Sequence, residues 1–141
     1  FQMPLYPMID DRMTNESAVN NTAPVWDSKA NKIGWDLYLK DYHERGLEIP
    51  SYAAPSRTVD YSNLPPAVTF VGDLEPFRDE TIEYVENLKK AGIPVEFELF
   101  KGCFHAFETV VPNAKVSKAA NQLLTNAFAH AVENFYAPQS E

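Results

Sequence analysis

The chain has 141 residues, 45% hydrophobic and 23% charged, which suits one globular domain with a modest core and excludes a disordered chain. A net charge of -8 and a pI of about 4.8 argue against a nucleic-acid-binding or anionic-membrane surface, and no apolar run approaches the roughly 20 residues that span a bilayer. The single cysteine, Cys103, excludes an internal disulfide framework and a multi-cysteine zinc site.

The first nine residues, Phe1 to Ile9, start inside an apolar run with no signal-peptide pattern, as a cut through a larger domain would. Residues 1–141 are therefore expected to form a single partial domain cut from a larger one. Residues 2–9 read as a short buried strand, which Pro4 and Pro7 weaken because neither donates to a ladder. Asp10 to Asp27 is polar and reads as loop. Residues 31–43 then suit a helix with Ile33, Leu37 and Tyr38 on its apolar face, and Gly46 ends it. Pro50, Pro55, Pro65 and Pro66 make residues 50–66 irregular.

The second half has sharper signals. Residues 67–72, Ala-Val-Thr-Phe-Val-Gly, are a short apolar run of the kind that forms a buried strand. A helix is expected directly afterwards, with Glu75 at its N-cap edge, Pro76 in its first position, and Asp79 and Glu80 at the positive end of its dipole. Ile82, Val85 and Leu88 mark its buried face, and Lys89, Lys90, Gly92 and Pro94 stop it. Residues 95–100 form the next strand, and the charges of Glu96 and Glu98 place it at an edge. The last helix runs over about 114–136, with Val116, Ala119, Ala120, Leu123, Ala127, Ala131 and Phe135 facing the sheet. Strand, helix, strand, helix predicts a right-handed parallel α/β unit of about three mostly parallel strands with flanking helices.

Ligands of open parallel sheets sit at the carboxyl ends of the strands, where two loops emerge here. The first carries Asp73, Glu75 and Asp79; the second carries Cys103 and His105. Strands one crossover apart bring these loops together, and a carboxylate bonded to an imidazole is two-thirds of a hydrolytic triad. Taken singly, the acids also suit capping and the helix dipole, and a lone loop histidine is more often structural or exposed. His43 and His130 are expected to be solvated. Trp26, Trp35, Tyr38 and Tyr42 are expected to pack, with a pocket wall as the other reading. No acid/His cluster has metal-ligand spacing and no Gly-rich phosphate loop occurs, so no cofactor and no metal are expected.

Three segments together resemble the hormone-sensitive-lipase-like esterases, a family of α/β-hydrolases: Leu5-Tyr6-Pro7-Met8-Ile9-Asp10, Glu75-Pro76-Phe77-Arg78-Asp79-Glu80 and Gly102-Cys103-Phe104-His105-Ala106-Phe107. They match, in order, that family's strand after the nucleophile helix, its acid loop and its histidine loop. The resemblance implies the C-terminal portion of an α/β-hydrolase fold, with His105 as the triad histidine. The family's acid loop usually begins with aspartate; aligning on the proline puts Glu75 there, with Asp73 as the alternative acid and Asp79, which resembles the family's second aspartate and suits a loop brace, as the third.

The family's oxyanion loop and its Gly-x-Ser-x-Gly nucleophile elbow do not occur in these residues. The expected function is thus the C-terminal part of a serine carboxylic-ester hydrolase, inactive alone, that needs the missing N-terminal half of the same domain. A small ester is the expected substrate. The strand at 95–100 resembles the family's dimerisation strand and is compatible with a homodimer. The other reading is a non-catalytic fragment or interaction module that associates through its exposed strand edge. Neither nucleic acid nor a membrane span is expected, and the expected location is cytoplasmic, with the parent's N-terminus unseen.

Overall fold

A computed structural model describes residues 1–135 of the chain. Its centre is strand β1 (Ala67–Gly72), apolar on both faces and buried at every residue. It pairs in parallel with β2 (Val95–Phe100), from Ala67 opposite Val95 to Gly72 opposite Phe100. Helix α3 (Arg78–Lys90) crosses between them and buries Tyr84, Val85 and Leu88, with Ile82 half-buried. Helix α5 (Lys115–Asn134) also docks on β1, through Ser117, Ala120, Ala127 and Ala131. These small side chains let the helix axis approach closely, while Ala119, expected on that face, is exposed. Phe70, Phe100 and Phe107 fill the space under it.

The expected third strand does not form as a strand. Gln2 makes an isolated parallel bridge to Ala67, with Gln2 N–H donating to Pro66 O and Val68 N–H to Gln2 O. The next donor in that direction would be residue 4, and proline has none. The Thr69 hydroxyl takes the Pro4 carbonyl instead, and one further bond, Tyr6 N–H to Phe70 O, ends the run. The named sheet therefore has two strands, with the N-terminal segment lying beside β1.

The first helix also differs from expectation. Asp27 caps α1 (Ser28–Tyr38) by accepting from Ala30 N–H at 2.7 Å, and after Leu39 the chain restarts as α2 (Lys40–Arg45). Gly46 closes α2 in the left-handed conformation expected of it. The buried stripe is Asn31, Trp35 and Leu39, the last two packed with Ala53 and Ala54. Ile33, Leu37 and Tyr38 are exposed. Ile33 and Leu37 share the i, i+4 spacing of the buried stripe, so periodicity alone could not choose between the two faces.

Glu80, in the first turn of α3, is 1% exposed. Its Oε1 accepts from the N–H groups of Ile9 at 2.7 Å and Asp10 at 3.3 Å, while Oε2 has no partner among the described residues. Burial pushes its carboxyl up to about 8, despite the two backbone bonds. The folded chain thus holds a proton that the unfolded chain releases above the ordinary glutamate range. Its stabilising contribution is full below that range and is lost as pH rises through about 8. Glu80→Gln mimics the protonated acid and is expected to flatten the fall in stability between about pH 5 and pH 8, where each pH unit carries up to about 1.4 kcal/mol. Urea unfolding of both proteins across that range measures it; parallel curves would refute it.

Candidate active site

The acid loop leaves the carboxyl end of β1, and the histidine loop leaves the carboxyl end of β2. Backbone bonds stitch the two loops together: Asp73 N–H donates to Phe100 O at 3.1 Å, and Leu74 N–H donates to Cys103 O at 3.1 Å. The backbones also crowd at Gly72, where a Cβ would lie 2.3 Å from the Cys103 carbonyl oxygen. Only glycine fits there.

This stitching brings Glu75 to His105. Glu75 is fully buried; its Oε1 accepts from Gly72 N–H at 2.8 Å, and its Oε2 lies 2.7 Å from His105 Nδ1. Using the carboxylate this way costs the helix its cap. The residues 73–77 are a turn, and α3 starts at Arg78 behind an N-cap residue, Phe77, that makes no side-chain bond, so Pro76 precedes the helix rather than opening it. Burial raises the Glu75 carboxyl above its usual range, and its bonds to His105 and Gly72 N–H pull it back in part. With Glu75 ionised, Nδ1 carries the proton and donates. Nε2 makes no side-chain hydrogen bond among the described residues, and the imidazole remains 18% exposed.

Three aromatic rings fix the imidazole. Tyr6 meets it edge-on with centroids 4.5 Å apart, Phe77 edge-on at 5.2 Å, and Trp26 at a tilt at 5.9 Å. Edge-to-face contacts of this kind favour a single ring orientation. Trp26 thus stands beside the site, whereas Trp35 is buried against Leu39 and Ala54, Tyr38 is exposed, and Tyr42 shares a 3.0 Å hydroxyl contact with Tyr52.

The other acids lie elsewhere. Asp73 accepts from Gly102 N–H at 2.7 Å, holding the turn before the histidine. Asp79 accepts from Ser17 N–H at 2.8 Å and from Arg78 Nε at 2.7 Å, and its own N–H donates to Ser17 Oγ. The Ser17 hydroxyl donates to Pro76 O at 2.8 Å, so this cluster ties the loop over residues 10–27 onto the acid loop. Cys103 is buried, and burial pushes its thiol up, away from thiolate reactivity. His43 and His130 are exposed. No group of three or more His, Cys, Asp or Glu side chains among the described residues could hold a metal ion. No described helix is long and apolar enough to cross a membrane.

The role of Tyr6 and Phe77 as ring contacts of His105, and the buried carboxylate of Glu108 behind Tyr6, were not read from the sequence. Phe77 had a signal, since it lies two residues after the acid in the same loop. Tyr6 and Glu108 are 102 positions apart and had none.

Residues 1–109 match the model of a family described as having the alpha/beta hydrolase fold. Esterase LipI of Mycobacterium tuberculosis is 34% identical over 110 residues, covering 76% of this chain and 33% of that protein. A bacterial heroin esterase superposes with a TM-score of 0.80 at 36% identity, over 89% of this chain and 40% of that one. Esterase LipW from Mycobacterium marinum does so with a TM-score of 0.84 at 28% identity, over 97% of this chain and 41% of that one. The chain thus spans about a third of the curated relative and about two-fifths of each solved chain. Taken with the motifs around Tyr6, Glu75 and His105, these matches show that the chain belongs to the α/β-hydrolase-fold family, within its hormone-sensitive-lipase-like esterases.

Proposed function

We propose that these residues supply the acid and the histidine of a serine carboxylesterase triad, Glu75 and His105. The observation that supports this reading is a fully buried carboxylate 2.7 Å from His105 Nδ1, with Nε2 unengaged among the described residues. A serine from polypeptide outside these 141 residues attacks the ester carbonyl while Nε2 takes its proton. Nε2 then returns the proton to the departing alcohol. Glu75 keeps the proton on Nδ1 and stabilises the imidazolium, and backbone N–H groups outside this chain hold the oxyanion. Water repeats the attack on the acyl-serine and releases the acid.

Three of the described serines are engaged elsewhere, Ser17 with Pro76 and Asp79, Ser28 with Ala18 O and Ser117 with Phe107 O, and no serine of the sequence lies in a Gly-x-Ser-x-Gly setting. Relatives named as esterases support a small carboxylic ester as the substrate class, and short or medium acyl chains are the lengths to try first. The test is hydrolysis of p-nitrophenyl acetate and butyrate by the chain alone and combined with the rest of its parent. Turnover is expected only in the combination. Turnover by the chain alone would sink the external serine, and none from a folded combination would make this a non-catalytic relative. The same reading extends to assembly. Among the described residues β2 pairs only with β1, and its outer side suits a second copy. A monomer mass in light scattering of the active combination would remove the dimer.

A further inference from the structure

Glu108 lies in the first turn of α4 (Phe107–Val110), three residues past His105, and is 6% exposed. A buried carboxylate without a cation is costly, so its bonds need an account. Oε1 accepts from the Tyr6 hydroxyl at 2.8 Å and from Thr109 Oγ1 at 3.2 Å, while Oε2 has no partner among the described residues. Neither Glu75 nor His105 bonds to it.

Tyr6 is unusual in its own right. Its φ of 34° lies in the left-handed region, which strains a bulky residue and persists only when the surroundings impose it. The surroundings here are specific. Tyr6 N–H is held by Phe70 O at 2.9 Å, the ring lies edge-on to Phe70, and the hydroxyl is held by Glu108. What this strained, twice-anchored ring touches is His105, with centroids 4.5 Å apart and planes at 72°. Burial, and then Glu108, push the phenol upward, so it stays a donor throughout the neutral range.

We propose that Tyr6 and Glu108 form a positioning pair for His105, in which Glu108 anchors the Tyr6 hydroxyl and the Tyr6 ring fixes the plane of the imidazole. Glu75 sets one end of the imidazole through a hydrogen bond; the Tyr6 ring sets its rotation about that bond. The inference rests on the reading of His105 as general base. It assigns no contact with substrate to either residue.

The test uses the full-length protein. Tyr6→Phe and Glu108→Ala are each expected to lower kcat about 10-fold with KM unchanged, since small misplacements of a base cost that much or more. The double variant is expected to be no worse than either single one, because both break one device. Glu108→Gln keeps an acceptor for Tyr6 and is expected to regain most of the loss seen with alanine. The Nδ1–H proton resonance of His105 is expected to move or broaden in both loss variants, which a structural role elsewhere would not cause. Normal kcat in Tyr6→Phe, losses that multiply in the double variant, or Glu108→Gln as poor as Glu108→Ala would each overturn the pair. Should Glu108→Ala not fold, a low Tyr6→Phe beside a near-normal Glu108→Gln supports the pair, and equal rates overturn it. His105→Ala separates the two levels: retained turnover sinks the general-base reading, while a dead His105→Ala beside a normal Tyr6→Phe sinks only the pair.

Discussion

His105→Ala in the full-length protein is expected to lower kcat/KM for p-nitrophenyl butyrate by about 10⁴-fold or more, the scale on which triad members act. Nothing nearby can replace the imidazole. His43 and His130 are exposed on α2 and α5, and Cys103 is buried with a raised thiol. The substitution also has a structural cost that the measurement must separate. It strips Glu75 Oε2 of its imidazole partner in a fully buried position, and it opens space between Tyr6, Phe77 and Trp26. An orphaned buried carboxylate and a lost packing contact each cost about 1–3 kcal/mol. Activity is therefore read on protein whose melting shows it to be folded. More than about 1% of wild-type turnover in such a sample would remove His105 from the chemistry.

The parts of the site that sit at strand ends were accessible to sequence reasoning, because topology alone juxtaposes them. Two strand-forming runs separated by a single helix are expected to be parallel neighbours, and their exit loops then share one edge. The structure accordingly brings Glu75 and His105 within 2.7 Å across 30 residues of chain. What fixes the imidazole's rotation was hidden for the opposite reason. Tyr6 arrives from a segment whose strand pattern is broken by Pro4 and whose last anchored residue adopts a positive φ, and no local rule reads a ring contact out of that.

Helix α1 shows a second kind of limit. Hydrophobicity favours Ile33, Leu37 and Tyr38 as the inner face, yet the chain buries Asn31, Trp35 and Leu39. The cap at Asp27 and the restart after Leu39 set the helix's rotation, and Trp35 and Leu39 fill the space over Ala53 and Ala54. Tertiary fit outranks the local preference. Glu80 belongs to the same category. An acid in the first turn of a helix reads as a dipole partner, but this one is 1% exposed and holds the backbone of Ile9 and Asp10.

Glu75→Gln is expected to lower kcat by about 10³- to 10⁴-fold while leaving the fold as stable as wild type, or more so, above neutral pH. The amide keeps the shape of the carboxyl and an oxygen for Gly72 N–H at the position where Oε1 now accepts at 2.8 Å. Its NH₂ then faces His105 Nδ1 and draws out the tautomer whose proton is on Nε2, which cannot take a proton from serine. The stability change has the opposite sign. Because burial raises the Glu75 carboxyl, the folded state favours its neutral form. That contribution is full below the ordinary glutamate range and is lost as pH rises through the raised value. Ionising Glu75 is therefore a cost to the fold, and the neutral amide is free of it. Asp73→Asn is the control, since Asp73 meets Gly102 N–H, which an amide oxygen can also accept, and its effect on kcat is expected to stay within about 3-fold. An inactive Asp73→Asn beside an active Glu75→Gln would transfer the acid's role to Asp73. A Glu75→Gln variant that loses turnover and melts well below wild type at pH 8 would make Glu75 a structural brace, for then its charge is what the fold needs.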